Sequence, residues 1–193
     1  MYEDLYKRIL DASKTDSLVF FVGAGVSTLS GAPRWSELID EIAKQIGIAN
    51  EEKQYSTNDF LTIPQKYYYS IEADDKDKEY YNFIKSCFNR NVLQPNSVHD
   101  KLLNFNPHAF ITTNFDNLIE TASLQKCQGF KVIAKDDEVS QITGNRFILK
   151  IHGDLDHNNI VLKEDDYLNY SDNFKLIETL LKYISKLSNR ISK

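Results

Sequence analysis

Leu18-Val19-Phe20-Phe21-Val22-Gly23-Ala24-Gly25-Val26-Ser27 is the stretch that decides the fold class. Its first five residues form a continuous apolar, β-rich run, which reads as a central strand of a parallel sheet. Gly23 and Gly25 end the run. A backbone without Cβ atoms can turn sharply and approach a phosphate. The N–H groups at the start of a following helix would add partial positive charge, and Ser27 a hydroxyl donor. Thr28 stands where a third glycine of G-x-G-x-x-G is expected, and no Walker lysine-serine pair is present. The same residues serve equally well as a tight strand-to-helix turn.

Two later runs repeat the arrangement. Ala109-Phe110-Ile111-Thr112-Thr113 reads as a strand that ends at Asn114 and Asp116. Phe147 to Ile151 reads as another, ending at His152-Gly153. A short strand is expected over Lys131 to Ala134. A doubly wound sheet collects such strand ends at one edge, where ligands bind. Asn114 and Asp116 also suit a turn or a helix cap. A histidine at a strand end also has a purely structural reading. Here Gly153 would let a ligand come close, and Asp154 and Asp156 flank His152 and would orient it. Asp154, Asp156 and His157 have the spacing of no familiar metal-ligand set and read as a solvated loop.

Helices are expected over residues 2–14, with Leu5, Ile9 and Ala12 on one face, and over Trp35 to Ile46, stopped by Gly47. Ser27 or Thr28 would cap the segment after the first strand, and Asp116 or Asn117 a helix through Leu118, Ile119 and Ala122. A last amphipathic helix is expected over 174–187. Residues 50–106 differ in composition, being rich in Tyr, Asn, Asp and Lys, and read as a helical insertion beside the sheet. Their aromatic residues suit a core better than a ligand cage. One candidate linker lies near 135–145. The fold class expected is α/β, a Rossmann-like three-layer parallel sheet with this insertion.

The length of 193 residues suits one domain able to bury a core. A net charge of -5 argues against non-specific binding to nucleic acid or to an anionic membrane surface. No signal peptide is visible, and the longest apolar run is too short to cross a bilayer. Cys87 and Cys127 allow neither a disulfide framework nor a four-cysteine zinc site, and read as reduced thiols of a cytoplasmic protein.

Taken together, the three segments resemble the sirtuin family. Gly23-Ala24-Gly25-Val26-Ser27 followed by Gly31-Ala32-Pro33 is similar to its NAD-binding loop. Thr113-Asn114-Phe115-Asp116 is similar to its nicotinamide and ribose motif, and His152-Gly153 to its catalytic pair. The resemblance spans roughly residues 15–170. Three departures accompany it. The zinc ribbon of the protein deacylases is missing, so no zinc is expected. Arg34-Trp35-Ser36 replaces an acidic-Phe-Arg tripeptide. No glycine occurs after Gly153, so the domain is expected to lack the final C-terminal strand or strands. The segment Lys150 to Asp154, followed by Ile160-Val161-Leu162-Lys163 and Asp165-Asp166-Tyr167, looks more like the bacterial sirtuin-like NAD hydrolases, effector domains of antiphage defence.

The resemblance implies cleavage of the nicotinamide–ribose bond of NAD, with NAD as substrate and no metal. Asn114 and His152 are the implied catalytic residues. Gly23, Ala24, Gly25, Ser27, Asp116 and Gly153 are the implied nucleotide contacts. The implied partners are further copies of the chain or a sensing domain or subunit. Two other activities share the pocket: an NAD-dependent protein deacylase, and an NAD- or ADP-ribose-binding fragment without turnover. A structural or interaction domain, with the aromatic-rich insertion as its surface, is a further alternative.

Overall fold

A computed structural model describes residues 2–52, 54–88, 92–142, 144 and 146–191. Four strands, β1 (Val19–Val22), β2 (Ala109–Thr112), β3 (Lys131–Ile133) and β4 (Phe147–Lys150), form one parallel sheet in the order β1-β2-β4-β3. The register places Val22 beside Thr112 and Thr112 beside Lys150. The segments after β1, β2 and β4 therefore leave the sheet side by side at one edge.

β2 and β4 are buried along their whole length, as their apolar sequences require. β1 corrects the expectation of a central strand. It lies at the edge of the described sheet, and Phe21 is 65% exposed. Strand composition reports hydrophobicity, whereas the place in the sheet is decided by which strands arrive to pair.

Alternation along the strands divides the core into two layers of side chains. Ala109, Ile111, Phe147, Leu149 and Ile133 face one way and pack on Ile177 of helix α9 (Lys175–Ile191) and on Phe174 just before it. Val22, Phe110 and Ile148 face the other way, against Leu103 of α5 (Ser97–Asn104) and Ile119 and Ala122 of α6 (Leu118–Gln125). The result is a three-layer, Rossmann-like α/β domain.

A separate cluster lies beyond the strand ends. Leu38, Ile39 and Ile42 of α2 (Trp35–Gln45) meet Ile63 and Tyr67 of α3 (Asp59–Ser70) and Tyr80 and Ile84 of α4 (Lys76–Phe88). Phe115, Ile160 and Leu162 join it, so this cluster packs directly against the segments that leave β2 and β4. Tyr67 and Tyr80 are buried core residues, in keeping with their pattern, while Tyr69 is exposed.

Helix α1 (Tyr2–Lys14) forms over the expected residues, with Ile9 and Ala12 partly buried and Leu5 53% exposed. The expected helix start after Gly25 is instead two short 3-10 turns, Ala24–Val26 and Thr28–Ser30, without a side-chain cap from Ser27. The expected linker near 135–145 is a 3-10 helix over Asp136–Gln141, and its residues 143 and 145 lie outside the described residues. Asp136 there accepts the backbone N–H groups of Leu176 and Ile177, so this segment caps α9. Short helices α7 (Glu164–Leu168) and α8 (Tyr170–Asn173) complete the chain order.

Candidate active site

The segment after β1 is held from a distance. Asn96 caps α5, accepting the N–H of Val98, and its Nδ2 donates to the Val26 carbonyl and to Ser30 Oγ, each at 2.8 Å. Within the first 3-10 turn, Val26 and Ser27 donate to the carbonyls of Gly23 and Ala24. The N–H groups of Ala24 and Gly25 stand at its open end, as the first donors of any helical turn do. Neither glycine is needed by the fold itself. Both have φ outside the left-handed region. A Cβ on Gly23 would meet Thr113 Oγ1 only at 3.9 Å, and one on Gly25 would meet nothing within 4 Å.

The segment after β2 is buried against this turn. Asn114 is 5% exposed. Its N–H donates to Thr112 Oγ1 at 3.0 Å, and its Nδ2 donates to Ser27 Oγ at 3.1 Å. Its Oδ1 is buried with no hydrogen-bond partner. A buried acceptor left unmade costs about 1–3 kcal/mol, so such an atom marks either strain or a waiting ligand. Asp116 caps α6, accepting the Leu118 N–H at 3.1 Å. Ala24, Ser27, Pro33, Trp35, Asn114 and Asp116 border a cavity of about 30 Å³. Phe88, Phe115 and Asp116 separate it from a second cavity of about 460 Å³, lined also by Lys85, Leu93, Asn117 and Leu155.

The segment after β4 stands alongside. His152 is half-buried, and burial pushes its imidazole below the usual value of 6.5, so the ring is neutral at pH 7. Its Nδ1 is buried without a partner, and the ring meets Tyr167 edge-on at 5.6 Å. His152 borders neither cavity. The expected orientation of His152 by flanking acids is not what the chain does. Asp154 turns away, accepting from the His157 N–H at 2.8 Å, with His157 Nδ1 at 2.7 Å and Lys150 Nζ at 3.8 Å. The turn over residues 154–159 folds back and supplies His157, while Lys150 comes from the end of β4.

Gly153 has a reason of its own. Its φ is +68°, and a Cβ would lie 2.2 Å from the Asn159 carbonyl oxygen. The side of Gly153 on which a Cβ would stand is therefore filled by Asn159.

Residues 108–191 match the family described as the SIR2-like domain. The chain is 42% identical over 183 residues to defense-associated sirtuin 2 of Bacillus subtilis, covering 92% of this chain and 18% of that protein. Residues 108–191 carry a SIR2-like domain. The chain is also 31% identical over 174 residues to NAD(+) hydrolase ThsA of Bacillus cereus (strain MSX-D12), covering 88% of the chain and 34% of that protein. It is 27% identical over 182 residues to NAD(+) hydrolase ThsA of Enterococcus faecium, covering 92% and 37%. The chain thus spans between about a fifth and a little over a third of the length of these relatives.

Of the expected site residues, Ala24, Ser27, Asn114 and Asp116 border the smaller cavity, and Gly23 and Gly25 belong to the same turn as Ala24 and Ser27. His152 and Gly153 occupy the neighbouring strand end. Sequence reading gives no role to Lys150, which is 1% exposed and forms an ion pair with Glu120 at 3.0 Å. Burial pushes the Glu120 carboxyl up, and the Lys150 charge opposes that. A lysine inside the otherwise apolar run Phe147-Ile148-Leu149-Lys150-Ile151 is the available signal. His99 is a second residue that sequence reading passes over. It is buried, accepts the Asn96 N–H through Nδ1, and leaves Nε2 without a partner. Among the described residues no group of three or more His, Cys, Asp and Glu side chains is placed to hold a metal. No helix there is long and apolar enough to cross a membrane.

Proposed function

We propose that this domain binds NAD across the ends of β1, β2 and β4 and hydrolyses its nicotinamide–ribose bond, releasing nicotinamide and ADP-ribose. One observation carries the reading: Asn114 is buried and fixed through Ser27, with its Oδ1 left for a ligand to satisfy. The names of the ThsA relatives support the substrate.

The nicotinamide leaves as a neutral molecule, so it needs little acid catalysis. The transition state resembles an oxocarbenium ion, as in other glycosidic cleavages. The N–H groups of Ala24 and Gly25 receive the pyrophosphate, and the absence of Cβ atoms at Gly23 and Gly25 leaves it room. Asn114 positions the nicotinamide ribose and a water. Asp116, between the two cavities, orients the carboxamide or Asn114 itself. His152, neutral at pH 7, acts as general base toward a ribose hydroxyl or the water. Because it borders neither cavity, the ring must turn toward the site when NAD is bound. Such a base contributes about 10²–10⁴-fold.

The biological role proposed is that of an effector domain in antiphage defence, governed by a sensing partner or by self-association. The name of the Bacillus subtilis relative supports it. A second reading, binding of NAD or ADP-ribose without turnover, draws on the position of His152 outside both cavities.

Chromatographic resolution of NAD, nicotinamide and ADP-ribose after incubation with the purified chain separates the two readings. Equal amounts of nicotinamide and ADP-ribose support hydrolysis. Saturable binding with NAD intact supports the second reading, and a cyclic product replaces water by an internal acceptor. Nicotinamide release that requires an acyl-lysine peptide would instead make the domain a deacylase.

A further inference from the structure

Lys150 is a buried charge that the proposed mechanism does not use. It closes a strand whose other members, Phe147, Ile148 and Leu149, are all buried and apolar. Taking an ammonium out of water costs several kcal/mol unless its protons are well received. A Leu or Met would be the ordinary occupant of such a site.

The partners of this ammonium come from three different segments. Nζ donates to the carbonyl of Asp116 at 2.7 Å and to that of Phe115 at 3.4 Å. It pairs with Glu120 of α6 at 3.0 Å and with Asp154, beyond His152, at 3.8 Å. The Phe115 carbonyl also receives the Leu155 N–H at 3.4 Å, so the turns after β2 and β4 meet at the same place. Asn114 lies one residue before this junction, and His152 two residues beyond Lys150. The Lys150 ammonium thus ties the two turns together beside that backbone bond.

We propose that Lys150 is a positioning residue of the NAD-cleaving site: its ammonium locks the Asn114–Asp116 turn to the His152–Asp154 turn and to α6, and so holds Asn114 against Ser27. This rests on the reading of the domain as an NAD hydrolase. The alternative is that Lys150 only balances the charges of Glu120 and Asp154. The two roles separate because the clamp acts through hydrogen bonds donated to backbone carbonyls, which a charge-balanced variant without the ammonium cannot make.

The test variant is Lys150→Met with Glu120→Gln. It removes one charge of each sign and leaves Asp154 with His157 at 2.7 Å. Glu120→Gln alone, which keeps the ammonium and its carbonyl acceptors, is the control. The first readout is the ¹⁵N NMR signal of the Asn114 side-chain amide, assigned by its loss in Asn114→Ala. In the folded double variant it moves toward the position of a free amide and exchanges faster with water, while the control keeps the native signal. The second readout is nicotinamide release, for which kcat falls about 10²-fold with KM much less affected, the scale of a misplacement of about 1 Å.

An unmoved Asn114 amide in the folded double variant overturns the proposal, whether or not the wild type cleaves NAD. A displaced amide with unchanged kcat also overturns it. A wild type that leaves NAD intact, with the amide displaced in the variant, refutes the hydrolase reading and leaves the clamp standing. Should the double variant fail to fold, Lys150→Arg is read in the same way, because it keeps the charge but not the compact ammonium geometry.

Discussion

Replacing Gly153 by alanine isolates what the fold asks of the His152-Gly153 pair. Two costs add. The residue sits at φ +68°, where an L side chain costs roughly 1–2 kcal/mol. The new Cβ would also lie 2.2 Å from the Asn159 carbonyl oxygen and 2.8 Å from its carbonyl carbon. That neighbour is backbone, so the 154–159 turn must move as a unit. The same residue holds the Asp154 N–H through Oδ1 at 3.0 Å and donates from Nδ2 to the Ala134 carbonyl at 2.7 Å. Losing one of these adds about 1 kcal/mol. The expected loss is about 3 kcal/mol, a fall in Tm of roughly 6–12 °C at this chain length.

Gly25→Ala is the matched contrast. Its φ is not left-handed, and a Cβ meets nothing within 4 Å. Stability should hold or rise by up to about 1 kcal/mol. If the glycine is there for a ligand, NAD affinity falls nonetheless. Urea unfolding of both variants, with NAD binding by calorimetry, makes the comparison. A Gly153→Ala protein within about 0.5 kcal/mol of wild type, outside the range of a strained backbone, would refute the steric reasoning. Unchanged NAD affinity in Gly25→Ala would refute the role given to the first turn.

Further predictions concern the polar groups. Asn96→Ala removes the α5 cap and both bonds to the 26–30 segment, and should cost about 2 kcal/mol by thermal unfolding. It should also weaken NAD binding, although Asn96 borders neither cavity. His99 and His152 both have imidazoles pushed down by burial. Their folded values lie below the unfolded one, so the unfolded chain binds more protons between the two. Their contribution is complete above pH about 6.5 and is lost as pH falls through the folded values, which a series of urea titrations from pH 8 to pH 5 would trace. The acid loss should be smaller in His99→Gln than in wild type.

How far sequence reading reaches differs by element. β2 and β4 are legible because strands buried on both faces have nowhere to place a polar residue until they end. The polar residues that then appear, Asn114, Asp116 and His152, mark the edge of the sheet. β1 has the same composition, yet Phe21 faces solvent, because edge or centre depends on strands far away in sequence. The 3-10 turns after Gly23 are not legible either. They are tied to Asn96, seventy residues on, whose side chain has no periodicity to betray it. Asp154 pairs with an unexpected histidine for a similar reason. Adjacency along the chain favours His152, whereas the returning turn delivers His157. Gly153 is legible as a needed glycine, but its positive φ and the Asn159 backbone supply the need.

The measurement closest to the central claim is nicotinamide release from NAD by the purified chain beside His152→Ala. The account predicts that wild type converts NAD to nicotinamide and ADP-ribose, and that the variant, folded and still binding NAD, is slower by about 10²–10⁴-fold. A variant that cleaves NAD at the wild-type rate would contradict it.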